Sequence, residues 1–376
     1  MSNIVASEVI TVETRAFHPV MAQLTHDEAA QENFLVNLRT EVVRQWQVEL
    51  RKLHTTTAGR AKDRHEILRT LLDEEYGKTA SALRVTAQEM MWDSIGACVE
   101  RQLPDLEHGA VVRSARGSLT LDPTLPLPHY VGDLDIHGMP GGYGAELNHG
   151  CIFAGAMYER GGVVRSMRRG GPLANASGKA LEAYVKSAHA GFTPRRILDV
   201  GCSIGHSTLA ICDAFPDAEV QAIDVAAPLL RYAHARAEAF GRTIHFSQQN
   251  AEKTAFEDGS FDLVVGLAML HETSAKAMQA ILNEAHRLLR SGGIVLHYEG
   301  RPWDSIDPFD AAVHDWDTHY NAEPFIGKMH DLDTRAMMVR AGFDATRYIE
   351  VTVPSDFYGT TASKGGGRWF FGAIKN

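Results

Sequence analysis

Residues 195–207 read RRILDVGCSIGHS, and the rest of the chain is best interpreted outward from this stretch. An apolar run ends on Asp199 and then meets Gly201, which is typical of a buried parallel strand that enters a tight turn. After the turn, the apolar residues of 207–215 recur at helical spacing. Gly201 and Gly205 let the backbone pass close to a ligand, and the start of the helix offers free N–H groups. The stretch therefore predicts the first strand, turn and helix of a nucleotide-binding α/β sheet.

The glycine spacing in this turn indicates the kind of nucleotide. A dinucleotide site has Gly-x-Gly-x-x-Gly here, whereas this chain has Gly-x-x-x-Gly, which disfavours NAD and FAD. A second apolar run over residues 219–224 ends on Asp224. A carboxylate at that point can accept both ribose hydroxyls of an adenosine cofactor. The pattern therefore favours an adenosine ligand other than a dinucleotide.

Four motifs in chain order resemble those of class I S-adenosylmethionine-dependent methyltransferases. They are ILDVGCSIG at 197–205, AID at 222–224, FEDGSFDLV at 256–264 and RLLRSGG at 287–293. Ser203 stands where this family often has glycine, and Asn250 where it often has aspartate. The resemblance implies S-adenosyl-L-methionine as the cofactor. It also implies an α/β fold, with a Rossmann-like class I methyltransferase sheet and helices on both faces.

Composition disfavours several other classes of protein. The 376 residues carry 47 acidic and 37 basic side chains, and a formal net charge of −10 disfavours a protein whose main partner is nucleic acid. No apolar run reaches membrane-spanning length, and the first residues lack a signal-peptide pattern. The four cysteines show no Cys-x-x-Cys spacing and are interpreted as reduced thiols. We therefore expect a cytoplasmic protein with a small-molecule partner and neither a nucleic-acid nor a membrane partner.

The chain is long enough for a second unit beside the sheet. Helical spacing of apolar residues occurs in three early segments, which are residues 32–53, 60–76 and 80–103. Pro104 is expected to end the third helix. We predict an N-terminal, mostly helical extension over residues 1–172 and a cofactor-binding domain over 173–376. The extension is a lid, a substrate-binding cap, a dimerisation module that would make a homodimer, or a set of helices that only bury one another. We favour a cap or dimerisation role.

Strand patterns follow in the expected alternation with helices. Residues 109–122 contain strand material with a turn near Gly117. The predicted strands of the cofactor-binding domain are residues 196–200, 219–223, 243–247, 261–267, 293–298, 345–353 and 369–374. The segment of about 301–335, after the fifth of these strands, is predicted to be a lid insertion.

Ligands of open α/β sheets bind beyond the carboxyl ends of the strands. The first strand end would then hold the methionine part of the cofactor, the second the ribose, and the third the adenine edge. Asn250 either contacts adenine through its amide or only caps a turn. The predicted cofactor-binding residues are Asp199, Gly201, Cys202, Ser203, Gly205, Asp224, Val225, Asn250, Ala251, Glu252 and Leu267.

Two residues before the first strand are further candidates for the methionine part. Tyr158 and Arg160 lie where many relatives place such groups, and an arginine can pair with the cofactor carboxylate. The alternative is that the arginines of this region only stabilise the C-terminus of a helix.

The fourth and fifth strand ends are expected to face the transferred methyl group. His271 is the candidate base or orienting group because a neutral imidazole can take a proton near pH 7. The alternative for His271 is a capping or core histidine. Glu272 either orients His271 or favours the next helix N-terminus. The predicted catalytic residues are His271, Glu272, Glu299 and His314.

A metal site is the less favoured interpretation of the histidines and acids in this region. His271, Glu299, His314 and His319 can converge on a divalent or ferric ion, but none of their spacings is diagnostic. The alternative is a solvated acidic face on a lid helix. We therefore predict no metal ligand.

The sequence as a whole predicts methyl transfer from S-adenosyl-L-methionine to a small-molecule acceptor, which is an oxygen, nitrogen, sulfur or carbon atom. Direct displacement at the methyl carbon requires alignment of the reactants but no nucleophile from the enzyme. The alternatives are a cofactor-binding protein without transfer activity, acting as a partner subunit or sensor, and a methyltransferase of protein or nucleic acid. A third is a protein that uses the charge of the cofactor for another reaction, such as decarboxylation or cyclisation.

Overall fold

One eight-stranded sheet forms the centre of the structure. The computed structural model describes residues 15–58, 63–168, 170–354 and 367–376. In chain order the strands are β1 Ser118–Thr120, β2 Arg196–Val200, β3 Glu219–Asp224, β4 His245–Gln248, β5 Phe261–Leu267, β6 Leu289–Glu299, β7 Tyr348–Val353 and β8 Arg368–Ile374. Their order across the sheet is β1-β4-β3-β2-β5-β6-β8-β7. Neighbouring strands are parallel except that β8 is antiparallel to both β6 and β7.

The α-helices within the described residues fall into an early group, a group between the strands and a group between β6 and β7. They are α1 His26–Leu53, α2 Arg64–Asp73, α3 Glu75–Gly109, α4 His129–Gly132, α5 Phe153–Arg165, α6 Ala176–Ala188, α7 His206–Ala214, α8 Ala227–Ala239, α9 Ala275–Leu288, α10 Pro308–Tyr320, α11 Ile326–His330 and α12 Thr334–Arg340.

The centre of the sheet confirms the predicted Rossmann-like α/β fold. Residues 197–200 of β2 are all buried, as the continuous apolar run requires for a strand covered on both faces. Strands β3 and β4 lie to one side of β2, and β5 and β6 lie to the other. The strand order therefore reverses beside β2, and such a reversal opens a crevice at the carboxyl ends of the strands.

The edge of the sheet differs from the sequence prediction. Only Ser118–Thr120 of the predicted strand material at 109–122 is a strand, and it pairs in parallel with β4. The backbones approach so closely here that a Cβ on Gly117 would lie 2.0 Å from the Ile244 carbonyl oxygen. Strand β1, which lies within the predicted N-terminal extension, is thus an edge strand of the same sheet. The division of the chain at residue 172 stays a prediction.

The first helix begins earlier than predicted, at His26 rather than residue 32, because Thr25 and Glu28 form a capping box. The Thr25 side chain accepts a hydrogen bond from the Glu28 N–H, and the Glu28 carboxylate accepts one from the Thr25 N–H. The helix predicted over residues 60–76 corresponds to α2, which ends at Asp73, while residues 60–62 lie outside the described residues.

The prediction that Pro104 ends a helix was wrong, because α3 continues through it to Gly109. Proline removes one backbone hydrogen bond, which destabilises a helix interior. Here Leu103 and Leu106 are buried on either side of the proline, and the Ala110 N–H closes the helix onto the Leu106 carbonyl. Burial of apolar side chains on the last turns offsets the lost hydrogen bond.

The segment between β6 and β7 packs against the early helices rather than standing free. Ile67 and Leu71 of α2 share a buried cluster with Phe309 and Trp316 of α10. The Trp316 Nε1–H donates a hydrogen bond of 2.8 Å to Ser81 Oγ on α3. The predicted lid segment is thereby held on the helical extension. Within the part of the chain that the structure describes, no helix combines the length and apolar character needed to span a membrane.

A buried charged cluster also joins the extension to the sheet domain. Glu159 of α5 accepts hydrogen bonds from Tyr232 Oη at 2.6 Å and His18 Nε2 at 3.0 Å. The Arg236 guanidinium lies 3.3 Å from the same carboxylate, and all four side chains are almost fully buried. Burial alone would raise the pKa of Glu159, but Arg236 and the hydrogen bond to His18 hold it well below its usual range. A buried carboxylate with these partners stays ionised.

Candidate cofactor and acceptor cleft

A cleft lies at the carboxyl ends of β2, β3 and β5. Its wall contains predicted cofactor residues on one side and Glu272 on the other. The lining residues are Tyr130, Val131, Tyr143, Tyr158, Gly201, Ser203, Asp224, Val225, Leu229, Gln249, Asn250, Ala251, Ala268, Met269, Glu272, Thr273 and Ile281. The sheet therefore brings together residues that lie far apart in the chain.

The turn after β2 forms the floor of the cleft. Gly201 has φ 68°, and a Cβ there would lie 2.8 Å from Met269 Cβ, so the turn requires glycine. Ser203, which stands where glycine is common, has φ 50°. Its Oγ is buried and has no hydrogen-bond partner among the described residues. A strained backbone with an unsatisfied hydroxyl beside a cleft is the kind of position that a bound ligand completes.

The Asp224 carboxylate is fixed at the end of β3. One oxygen accepts the Ser203 N–H at 2.9 Å and the other accepts the Ala226 N–H at 2.9 Å. Burial raises the pKa of Asp224, and these backbone hydrogen bonds oppose the rise. Each oxygen keeps a second lone pair. The carboxylate is therefore oriented to accept hydrogen bonds from a vicinal diol.

Six of the eleven predicted cofactor residues line the cleft, namely Gly201, Ser203, Asp224, Val225, Asn250 and Ala251. The other five, Asp199, Cys202, Gly205, Glu252 and Leu267, do not. Cys202 is buried and its N–H donates to the Ile223 carbonyl, while Gly205 caps α7 with φ 73°. These two residues shape the turn without forming the wall of the cleft.

Asn250 has the turn-capping role that was considered as its alternative, because its Oδ1 accepts the Glu252 N–H at 2.8 Å. It also lines the cleft, so capping and ligand contact are compatible. Glu252 accepts a hydrogen bond of 2.8 Å from the Tyr130 hydroxyl, and it is Tyr130 that reaches the cleft. Glu252 thus positions a wall residue.

Asp199 lies beneath the cleft rather than in its wall. Its Oδ2 accepts the Thr208 hydroxyl at 2.6 Å, and the side chain is buried. Burial raises the pKa of Asp199 to about 7, although the hydrogen bond from Thr208 opposes the shift. The carboxyl group is therefore partly protonated near neutral pH in the protein alone.

Glu272 is the charged residue on the other side of the cleft. Its Oε1 accepts a hydrogen bond of 3.0 Å from the Tyr143 hydroxyl. The same oxygen lies 3.5 Å from His271 Nε2 and 3.5 Å from His137 Nε2. His137 Nδ1 in turn lies 2.7 Å from Glu323 of the segment after α10. Three side chains thus hold one carboxylate at the cleft.

Glu299 supports this arrangement from the end of β6. One oxygen accepts the backbone N–H groups of Met269 and Leu270, and the other lies 2.6 Å from His271 Nδ1. Met269 lines the cleft, whereas Glu299 is buried and does not. The geometry makes Glu299 a positioning residue for the loop after β5.

The charge state of His271 follows from its two carboxylate neighbours. Burial alone would lower the pKa of His271, but Glu299 and Glu272 outweigh burial and hold it well above its ordinary value. The pKa of Glu272 is lowered, because the hydrogen bond and charge of His271 outweigh its own burial. His271 is therefore an imidazolium at neutral pH, with both nitrogens directed at carboxylates rather than at the cleft.

The four residues considered for a metal site do not come together. His314 and His319 are exposed on α10, and no hydrogen bond or ion pair in the described residues joins either to His271 or Glu299. His319 instead lies near His65 and Asp315. The sequence spacing of these residues could not show that His314 and His319 lie on α10, apart from His271 and Glu299 at the strand ends.

Two arginines near the cofactor side have partners inside the protein. Arg160 Nε and Nη2 donate to Glu32 at 2.8 and 2.6 Å, and both side chains are buried. Tyr158, by contrast, lines the cleft, with the Arg165 guanidinium 5.0 Å from its ring centroid. Of the pair considered for the methionine part, the structure places the tyrosine at the cleft and the arginine against Glu32.

Three tyrosines, Tyr130, Tyr143 and Tyr158, line the cleft, and of these only Tyr158 is among the residues predicted from the sequence, as a candidate for the methionine part. The charged residues that line the cleft, within the described ranges, are the carboxylates Asp224 and Glu272. Aromatic faces and carboxylates attract cations. The wall therefore suits a ligand that carries a sulfonium charge and a ribose, which S-adenosylmethionine does.

Comparison with known proteins identifies the central segment. Residues 197–293 match the family model of a methyltransferase domain. Demethylmenaquinone methyltransferase of Thermus thermophilus is 36% identical over 111 residues, which are 29% of this chain and 50% of the relative. Malonyl-[acyl-carrier protein] O-methyltransferase of Methylovorus sp. is 27% identical over 168 residues, 42% of this chain and 55% of the relative.

A solved O-methyltransferase family protein from Burkholderia thailandensis is 16% identical, with a TM-score of 0.41 over 58% of this chain and 60% of that one. The chain spans about half the length of the curated relatives it matches. The motif order, the strand order and the match over residues 197–293 agree. The chain therefore contains, at residues 197–293, a methyltransferase domain that is similar to those of the class I S-adenosylmethionine-dependent methyltransferases.

Proposed function

We propose that the protein transfers a methyl group from S-adenosylmethionine to a small molecule bound beside Glu272. One observation carries the proposal. A single cleft is lined both by the ribose-type carboxylate Asp224 and by the acceptor-side carboxylate Glu272. In this proposal the cofactor and a second reactant meet in the same cleft, as a direct displacement requires.

Each side of the cleft has a role in this proposal. Asp224 would accept the ribose hydroxyls, and the turn from Gly201 to Ser203 would lie against the methionine part. When bound, S-adenosylmethionine supplies a methyl group made electrophilic by the sulfonium. Tyr130 and Tyr158 would cover the ligand and exclude water.

On the acceptor side, Glu272 is the group that touches the acceptor in this proposal. An ionised carboxylate held by Tyr143 and His271 orients an N–H or O–H group of the acceptor and favours positive charge on it. His271 and Glu299 are positioning residues, because neither lines the cleft. Of the two roles expected for His271, base or orienting group, this proposal assigns the orienting role, because two carboxylates raise the pKa of His271 above its ordinary value. His314, exposed on α10, has no part in the proposal.

Binding measurements test the cofactor half of the proposal. Titration calorimetry with S-adenosylmethionine, S-adenosylhomocysteine and NAD is expected to show binding of the first two only. The variant Asp224→Ala is expected to weaken binding at least about tenfold, since it removes hydrogen bonds to a charged group. The matched control is Glu219→Ala, at the opposite end of the same strand, which should bind normally. Equal affinity in the two variants would contradict the assignment of Asp224.

A screen of small-molecule acceptors with purified protein then tests transfer. Formation of S-adenosylhomocysteine only in the presence of an acceptor supports the proposal. Tight cofactor binding with no turnover across the screen would favour the alternative of a partner subunit or sensor. Turnover with protein or nucleic acid alone would favour the other alternative.

A further inference from the structure

A second group of potential ligand side chains lies outside the cleft, between α2 and α10. His65 is on the first turn of α2, and Asp315 and His319 are on α10. One nitrogen or oxygen atom from each of the three lies within 4.8 Å of those of the other two. Asp315 and His319 are four residues apart, which places them on the same face of the helix.

The Asp315 carboxylate is the most informative member of this group. Its side chain is 2% exposed, yet Oδ2 accepts no hydrogen bond within the described residues. His65 Nδ1 lies 3.0 Å from that oxygen. The other oxygen accepts the Thr318 hydroxyl at 3.0 Å, so the carboxylate is oriented with Oδ2 toward the histidines. The neighbours of Oδ2 within the described residues are the ion pairs to His65 Nδ1 and, at 3.4 Å, to Arg64 Nε, and neither has hydrogen-bond geometry. A cation bound at Oδ2 would therefore complete a buried carboxylate that no donor satisfies well.

We propose that His65, Asp315 and His319 bind a divalent transition-metal ion, with Zn²⁺ as the best match. Two imidazole nitrogens and one carboxylate oxygen are ligands that zinc accepts, with water in a fourth position. Thr318 acts as the outer partner that such carboxylate ligands normally have. The exposed histidines supply the entry path, and their side chains can adjust to ligand distances of about 2 Å.

The two helices that supply the ligands are already held together. Ile67, Leu68 and Leu71 of α2 pack with Phe309 and Trp316 of α10 in a buried cluster. Metal binding therefore needs little rearrangement of the backbone. A bound ion would link the helical extension to the segment between β6 and β7. It would be a structural metal ion rather than a catalytic one.

The guanidinium of Arg64 lies near the site and disfavours metal binding. Arg64 Nε lies 3.4 Å from Asp315 Oδ2, which reduces the negative charge available to an ion. The same guanidinium has other partners, because Arg64 Nη2 bonds Asp331 at 3.0 Å and the group stacks 4.9 Å from the Trp303 ring centroid. Arg64 can thus keep its place while Oδ2 binds the metal. Replacement of this charge in Arg64→Gln should strengthen metal binding.

Cobalt(II) and zinc titrations test the proposal on the full-length protein after dialysis against EDTA. Co²⁺ is expected to give visible absorption bands of a four-coordinate site with one ion bound, and Zn²⁺ is expected to abolish them and raise the Tm. The bands should lack thiolate character, since the site contains no cysteine.

Variants separate this site from incidental metal binding. His65→Ala and His319→Ala change exposed side chains, and each should weaken Co²⁺ binding at least about tenfold. The matched control is His129→Ala, which removes an exposed histidine paired with Asp133 at the same four-residue spacing but with no third ligand. Binding that is unchanged in both site variants, or absent in the native protein, would overturn the proposal.

Discussion

His271 Nδ1 lies 2.6 Å from Glu299 Oε2, although the two residues come from different strand ends of the sheet. The other oxygen of Glu299 holds the backbone of residues 269 and 270. A single buried carboxylate therefore fixes both the loop after β5 and the orientation of the imidazole. The loop in turn presents Glu272 to the cleft.

The pH dependence of stability tests the charge on His271. Its folded pKa lies above its ordinary value of about 6.5, so the bound proton stabilises the folded state. That contribution is complete below about pH 6.5 and is lost as the pH rises through the folded pKa. The free-energy advantage of the native protein over His271→Gln should therefore be greatest near pH 6 and shrink toward alkaline pH, as measured by urea unfolding.

The control for this prediction is His129→Gln, which removes an exposed histidine. Subtraction of its small effect corrects for the loss of a surface charge. An advantage over His271→Gln that grows with pH would mean that His271 is neutral in the folded protein.

Kinetics with an acceptor found in the screen test the role of Glu272. Glu272→Gln should lower kcat/KM for the acceptor roughly 10²-fold, within the range for loss of a preorganised group that stabilises developing charge, and leave cofactor affinity nearly unchanged. Tyr143→Phe should cost roughly tenfold, the loss of one hydrogen bond to a charged group. The comparison variant is Glu252→Gln, on the side of Tyr130, which should alter cofactor affinity instead. A Glu272→Gln enzyme with native kcat/KM would remove Glu272 from the acceptor site.

The contribution of the Asp199 carboxyl to the free energy of unfolding should change with pH in the direction opposite to that of most acidic side chains. Its folded pKa of about 7 lies above the ordinary value, so its contribution is favourable at low pH and lost as the pH rises toward and beyond 7. In the absence of cofactor, Asp199→Asn should therefore be more stable than the native protein near pH 8, by on the order of 3 kcal/mol, and nearly equal to it near pH 4.

The contribution of Asp262 to the free energy of unfolding should have the opposite pH dependence. Burial alone would raise its pKa, but hydrogen bonds from Arg290 and the backbone of residues 195 and 196 lower it. That contribution is present at neutral pH and lost as the pH falls through the folded pKa. Asp262→Asn should therefore be less stable than the native protein at neutral pH. A stabilised Asp262→Asn, or a destabilised Asp199→Asn near pH 8, would contradict these charge assignments.

Two glycines of α5 should respond in opposite directions to alanine. A Cβ on Gly155 would lie 2.4 Å from Tyr232 Cβ, so Gly155→Ala forces two helices apart and should cost roughly 1–3 kcal/mol. A Cβ on Gly162 would meet nothing closer than 3.6 Å. Gly162→Ala should therefore gain up to about 1 kcal/mol from helix propensity. Thermal unfolding of both variants measures the difference, and equal Tm values would refute the packing argument.

The strands around residues 197–267 were predictable because their signals are local. An apolar run that ends on Asp199 and is followed by Gly201 and Gly205 predicts strand β2, the turn after it and the start of α7. The structure confirms these three elements. The end of α3 was not predictable in this way. Whether Pro104 stops a helix depends on the burial of Leu103 and Leu106, which is decided by distant packing.

The acceptor side of the cleft could not be predicted from local sequence either. Tyr143 and Glu272 are 129 positions apart, and their hydrogen bond depends on a loop that has no regular period in the sequence. The charge of His271 likewise depends on Glu299, 28 positions further on. Sequence spacing pointed to His271 and Glu272 as neighbours but could not show which of them faces the cleft.

The buried Glu159 cluster bears on whether the chain can be divided at residue 172. His18 comes from the extension and Arg236 from the sheet domain, and each satisfies the same carboxylate. Removal of one partner of a buried charge typically costs about 3–5 kcal/mol. A truncation at residue 172 would separate Glu159 from Arg236. It is therefore expected to leave the buried Arg236 guanidinium without its carboxylate partner.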